Sequence, residues 1–443
     1  MDKLIINGGR PLTGETYVSG SKNVALKALV AACLTDEEVI IENVPLISDV
    51  FVMTDIISEL GGKIDTQDHT VFITAKKLSK TKIDLAIAAE IRSSAMFMAP
   101  LLVRVGEAVI PNPGGCRIGA RPIDRTIEGL EKMGVDVVYK SRDGYFYMNA
   151  PKGLKGIDYI FSKSTHTGTE TLLIAACLAH GKTVLRNAAE EPEIDELIGL
   201  LTRMGAKIKR TKKRVIEIDG VKKLSGTRFK VHPDRNEVVT LAVAGVITKG
   251  DIFIKGIKDT DIKEFVVKME EIGAGVEIKE YGIRFFYKGP IKASSVETSP
   301  YPGFMTDWQG PWAVLMTQAE GTSELIERVY EDRFGYVSEL QKMGANIKFF
   351  NPNVGNPEEF YNFNIEDDNL SSKHAIQIKG PTKLHNGVVT ISDLRAGATL
   401  ALAALAAEGE TVMLESNYLD RGYEKFEYRL QSLGADIIRQ SYD

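Results

Sequence analysis

The chain is predicted to fold as an α/β protein of mixed sheets, built from six similar βαβαββ units grouped three and three into two domains. Three observations carry this expectation. A helix-like segment ending in an apolar residue and a glycine recurs six times, at Gly61, Gly134, Gly205, Gly273, Gly344 and Gly434, with spacings of 73, 71, 68, 71 and 90 residues. A short alternating strand follows each glycine, which is the residue expected where a helix stops before a strand. Each unit also holds an earlier, Ala-rich helix that is apolar nearly all round, as a buried helix is.

In chain order, those apolar helices begin near Asn23, Ala95, Thr171, Val238, Trp312 and Ala398. A strand follows each, as in Glu38 to Asn43 and Glu410 to Glu415. Six such units exceed one core, so two three-unit domains are expected, with the boundary between Phe229 and Pro233. The wide last spacing implies an insertion of about twenty residues, from Asn351 to Ser372, whose Asn, Pro, Glu and Asp content reads as a solvated loop.

Composition narrows the function. The chain has 443 residues, 44% hydrophobic content and a formal net charge of -5. No global basic character points to nucleic acid. The N-terminus lacks the apolar core of a signal peptide, and no apolar run approaches the roughly 18 residues of a membrane helix. Cys33, Cys116 and Cys177 form neither a metal-ligand spacing nor an even disulfide set, so a reducing, cytoplasmic setting is expected. No P-loop, no Gly-x-Gly-x-x-Gly after a strand and no His-Glu-x-x-His occurs, so neither a metal nor a cofactor is expected.

The polar residues fall at equivalent points of the repeats. Ahead of the buried helices stand Ser21-Lys22, Glu90-Ile91-Arg92, Ser162-Lys163-Ser164, Asp234-Arg235, Thr306-Asp307 and Asp393-Leu394-Arg395; ahead of several second helices stand Arg121, Arg333 and Arg421. Ser21, Asp234, Asp307 and Asp393 read equally well as ordinary N-caps. Recurring cations at helix N-termini run against the helix dipole, and an anion site accounts for them. Phosphate and carboxylate are the natural occupants. His166 lies near such a site and reads more simply as a surface loop histidine. Pro111 to Arg125 is a loop rich in proline and glycine, with Cys116 among Arg117, Arg121 and Arg125. Those cations favour thiolate, so Cys116 is either a reactive thiol or a partly buried loop cysteine beside surface arginines.

The motifs Ser19-Gly-Ser-Lys-Asn23, Pro113-Gly-Gly-Cys-Arg-Ile-Gly-Ala-Arg-Pro122, Glu191-Pro-Glu-Ile194, Pro233-Asp-Arg235, Thr306-Asp307, Asp393-Leu-Arg395 and Asp420-Arg-Gly-Tyr-Glu424 run through nearly the whole chain. In this combination and order the chain resembles the UDP-N-acetylglucosamine 1-carboxyvinyltransferases, a family of enolpyruvyl transferases. The resemblance implies an inside-out α/β barrel with domains 21–232 and 1–20 plus 233–443. It implies transfer of enolpyruvyl from phosphoenolpyruvate to the 3′-hydroxyl of UDP-N-acetylglucosamine in a cleft that closes around the ligands. Lys22, Arg121 and Arg421 match residues that hold phosphoenolpyruvate, supported by Arg92 and Arg395. Asp307 matches the candidate general base, and Cys116 the lid thiol, acting as proton donor or through a covalent adduct. Asn23 and the segment Arg121, Pro122, Ile123, Asp124, Arg125 match nucleotide-sugar contacts; Ser162, Lys163 and Ser164 fall where diphosphate binds. Departures from the usual pattern occur at Ser21, Thr167 to Thr171, Trp308, Glu331 to Gly335 and the insertion. Two other readings remain: a related transferase with another acceptor, and a non-catalytic nucleotide-sugar binder.

Overall fold

The computed structural model describes residues 2–114, 122–369 and 371–441. Its mixed α/β chain forms two compact units among these residues: 20–114 with 122–232, and 2–19 with 233–441. In the first, Val39–Glu42 runs parallel to Arg228–Lys230 and antiparallel to Thr70–Thr74, which pairs with Lys63–Gln67. Lys182–Arg186 repeats the scheme with Asp158–Ile160, Val215–Asp219 and Lys207–Lys212. Between them in sequence, Glu107–Pro111 pairs with Tyr145–Asn149, and that strand with Asp136–Lys140. Its parallel partner is reduced to one bridge, Lys82 with Val109.

The second unit follows the same rule. Asp251–Lys255 lies parallel to Thr13–Tyr17, Gly321–Ile326 to Val296–Glu297, and Gly409–Leu414 to Val388–Thr390. Parallel neighbours need a crossover connection; Gln309–Met316 and Leu394–Ala406 supply it for the last two pairs, whereas Thr13–Tyr17 and Asp251–Lys255 are joined through the whole 20–232 segment. In this unit Arg235–Ile247, Gln309–Met316 and Leu394–Ala406 pack against one another. Every residue of Arg235–Ile247 is buried, as an apolar circumference requires. The N-terminal strand Asp2–Gly8 sits between Gly409–Leu414 and Asp436–Ser441, antiparallel to both.

The six repeat glycines have φ between 86° and 103°, a left-handed backbone in which a side chain is strained. Each ends a helix, as at Gly134, whose N–H donates to Glu131 O while Val135 N–H reaches back to Leu130 O. The second repeat departs from the single helix expected. It is broken into Leu85–Glu90, a 3-10 turn at Arg92–Phe97 and Met98–Val105. Pro100 falls in the first turn of the last piece, where its missing N–H costs little.

The insertion is more ordered than its composition predicts. It joins Ile347–Phe350 to Ala375–Gly380 and contains the short helix Pro357–Phe360. Tyr361 and Phe363 are buried at 6% and 4% exposure. Their rings stack at 4.8 Å between centroids, and His374 packs against both. Arg328 Nε donates to Phe360 O at 3.0 Å, and Asn362 N–H donates to Arg328 O at 2.7 Å. The segment is therefore packed on its own sheet, because two aromatic side chains outweigh a mostly polar composition. Among the described residues no helix is long and apolar enough to cross a membrane.

Candidate active site

Cys116, Arg117 and Arg121 lie outside the described residues. The loop is described up to Gly114, where an added Cβ would stand 2.3 Å from Ala89 O. Only glycine permits that approach. It brings the start of the loop against the helix Leu85–Glu90, two residues before Arg92.

In the 20–232 unit, Lys22 is the first residue of Lys22–Ala32, after Ser21, whose hydroxyl accepts from Val24 N–H. Lys22 Nζ pairs with Asp49 Oδ2 at 2.6 Å, with both side chains largely buried. Asp49, in the first turn of Ser48–Glu59, was not singled out from sequence. Its one clue is a carboxylate placed where a helix dipole favours it. The helix bearing Lys22 and Asn23 packs on the turn Arg92–Phe97. Elsewhere in this unit Arg125 Nε donates to Ser162 Oγ at 3.2 Å, joining two segments that the sequence assigned separately to the nucleotide sugar. Asp124 begins the helix Asp124–Lys132, and Pro122 and Ile123 lead into it. Lys163 and Ser164 follow Ser162 and precede the N-cap Thr165 of His166–Ala176.

His166 is not a loop histidine. It opens that helix, and its Nε2 stands 3.2 Å from Glu170 Oε1 one turn on. Glu170 is fully buried, 3.5 Å from Lys27 Nζ. Burial pushes its carboxyl pKa up, against the pull of His166 and Lys27. The apolar pattern of the two helices hid this Lys27–Glu170 pair.

The second unit separates capping from site chemistry. Asp234 and Asp393 are N-caps: each carboxylate accepts two backbone N–H bonds of the helix that follows. Asp307 is not. It lies inside the 3-10 turn Thr306–Trp308, and its carboxylate meets Arg333 Nη2 at 2.6 Å and Arg395 Nη2 at 3.5 Å. Arg395 also donates to Tyr423 Oη at 3.1 Å, which lies 2.8 Å from Thr240 Oγ1. Burial works against the charge on Arg395, but Asp307, Tyr423 and Asp234 outweigh it and raise its pKa. Arg333 is raised in the same way, with burial opposed by Asp307, Asp393 and Glu327. Arg421 closes the 3-10 segment Ser416–Arg421, which packs on the helix carrying Arg395. Thus Asp307 and Arg395 meet directly, joined by Arg333. Trp308 is a core residue: it is 1% exposed, and its Nε1 donates to Asn236 Oδ1 at 3.0 Å. No group of three His, Cys, Asp or Glu side chains that could hold a metal occurs among the described residues.

Buried guanidinium groups paired with one carboxylate are equipped to bind and orient an anion and to handle a proton beside it. Comparison with known proteins agrees with such chemistry. The family profile described as EPSP synthase (3-phosphoshikimate 1-carboxyvinyltransferase) matches residues 6–430. A UDP-N-acetylglucosamine 1-carboxyvinyltransferase of Trichlorobacter lovleyi is 41% identical over 443 residues, covering 100% of both chains. Another, from Koribacter versatilis, is 39% identical over 99% of this chain and 96% of its own. Among solved structures, the enolpyruvyl transferase NikO from Streptomyces tendae has a TM-score of 0.86 at 24% identity, covering 100% of this chain and 99% of its own. EPSP synthase from Acinetobacter baumannii has a TM-score of 0.73 at 16% identity, with both chains fully covered. The chain therefore belongs to the EPSP synthase family of enolpyruvyl transferases.

Proposed function

We propose that the chain is a UDP-N-acetylglucosamine 1-carboxyvinyltransferase, transferring enolpyruvyl from phosphoenolpyruvate to the 3′-hydroxyl of UDP-N-acetylglucosamine. This is the first committed step towards peptidoglycan precursors, carried out in the cytoplasm. The observation that carries the reading is relatives of that name near 40% identity along essentially the whole chain. The two compact units serve as its two domains, and both contribute residues to one reaction.

In this reading Lys22, Arg92, Arg121, Arg395 and Arg421 hold the phosphate and carboxylate of phosphoenolpyruvate. Asn23, Pro122, Ile123, Asp124, Arg125, Ser162, Lys163 and Ser164 hold the nucleotide sugar. Cys116 delivers a proton to C3 of phosphoenolpyruvate, and Asp307 takes the proton of the sugar hydroxyl as its oxygen bonds to C2. The tetrahedral intermediate then loses phosphate from C2 and a proton from the C3 methyl, leaving the enol ether. Preorganised cations in such a site stabilise the charge that develops on the phosphate. Asp307, held by two arginines, keeps its lone pairs oriented for the incoming hydroxyl.

Phosphate release from phosphoenolpyruvate, measured with a panel of UDP-sugars, tests the proposal. UDP-N-acetylglucosamine is expected to support the fastest release. A faster reaction with another acceptor moves the chain to a neighbouring specificity, and binding without release with every sugar makes it a non-catalytic binder.

A further inference from the structure

Glu327 lies just beyond the end of the strand Gly321–Ile326 and is 1% exposed. It stands outside every role assigned above. Its Oε2 accepts from Thr306 Oγ1 at 2.8 Å and from Gln309 Nε2 at 3.1 Å. Those two residues flank Asp307 on either side. Its Oε1 accepts from the backbone N–H groups of Val329, at 2.8 Å, and Tyr330, at 3.1 Å. That turn leads directly to Arg333, the partner of Asp307 at 2.6 Å. Gln309 is fixed in turn, because its Oε1 accepts from the buried Tyr336 hydroxyl at 2.6 Å. One carboxylate thus ties the turn that carries the proposed base to the turn that leads to its arginine.

A fully buried carboxylate is costly unless every lone pair is used. Four donors, two on each oxygen, satisfy it. Burial still pushes the Glu327 pKa up, with Arg333 opposing. A core position filled this way is a weak source of stability, since an apolar side chain of similar volume does as well. A supporting network around a reacting group does something an apolar side chain cannot: it fixes that group to a fraction of an ångström.

We propose that Glu327 is a positioning residue for the transfer reaction, setting the Asp307 carboxylate and the Arg333 guanidinium relative to each other. The inference rests on the transferase reading above and deepens it. Misplacing a reacting group by about 1 Å costs on the order of 100-fold in rate. Glu327→Gln keeps the shape but sets an NH2 group against donors on one side. Its kcat is expected to fall by about 10- to 100-fold while KM for both substrates changes less than about threefold, the split expected when only the transition-state geometry is lost. Glu327→Asp, which restores the charge, is expected to recover part of the loss. Thr306→Val removes one bond with little change in volume; kcat falls alone, and in the double variant with Glu327→Gln the losses do not multiply, as for partners in one network.

Should Glu327→Gln fail to fold, Thr306→Val alone decides, and unchanged kcat there overturns the proposal. Unchanged kcat in a folded Glu327→Gln, or KM rising in proportion to any loss, overturns it too. Wild-type enzyme that releases no phosphate with any UDP-sugar refutes the transferase reading and, with it, this proposal. An active wild type with an equally active Glu327→Gln refutes the positioning role alone.

Discussion

Cys33 and Cys177 are both fully buried in helical surroundings, and burial pushes each thiol up to about 12. Neither offers thiolate near neutral pH. Chemistry that needs a thiol therefore falls to Cys116, whose neighbours in sequence include Arg117 and Arg121. The epoxide phosphonate fosfomycin, an anion comparable to phosphoenolpyruvate, is expected to alkylate Cys116 and to leave Cys33 and Cys177 intact in the native protein. Peptide mapping by mass spectrometry reads this directly; label on either buried cysteine contradicts it. Cys116→Ala, lacking the proton donor, is expected to lose about 100-fold or more in turnover. At this scale the sequence was partly legible. Asp234, Asp307 and Asp393 precede buried helices alike, and only the side-chain partners distinguish two caps from the residue that meets Arg333 and Arg395. Glu327, Asp49 and the Lys27–Glu170 pair were not legible. Each is defined by a partner distant in sequence or hidden in an apolar run.

Among the elements, the insertion between Ile347–Phe350 and Ala375–Gly380 separates stability from chemistry. Its polar majority concealed the buried Tyr361 and Phe363, because three clustered aromatic residues, Phe360, Tyr361 and Phe363, leave no periodic pattern in the segment. Burying each ring contributes about 2 kcal/mol relative to exposure. Replacing 351–372 with a short Gly-Ser linker is therefore expected to lower the melting temperature while leaving turnover within a fewfold, since none of the proposed site residues lies in it. Thermal denaturation beside the transfer assay checks both. An unchanged melting temperature contradicts the packing argument, and a loss of several orders of magnitude in a folded variant shows that the segment belongs to the site. The repeat helices, by contrast, were easy to read, because glycine at a positive φ and an apolar circumference are local signals.

The whole molecule depends on pairings that no local pattern records. Leu4 lies opposite Met413 and Arg439 in a sheet whose other strands come from the end of the chain. Arg228–Lys230 supplies the parallel partner of Val39–Glu42. Periodicity identifies six units but not which strand completes which sheet. The same holds for the chemistry: the residues proposed to act on one substrate pair lie in both compact units, and what unites them is the reaction. That reaction is tested most directly in deuterium oxide, with phosphoenolpyruvate and UDP-N-acetylglucosamine as substrates and the product examined by NMR. Addition of a solvent-derived proton at C3 creates a methyl group, from which elimination removes any one of three hydrogens. The account predicts one phosphate released per enolpyruvyl ether formed, with deuterium in its vinyl CH2 group. Absence of the ether, or an ether formed without deuterium, would contradict it.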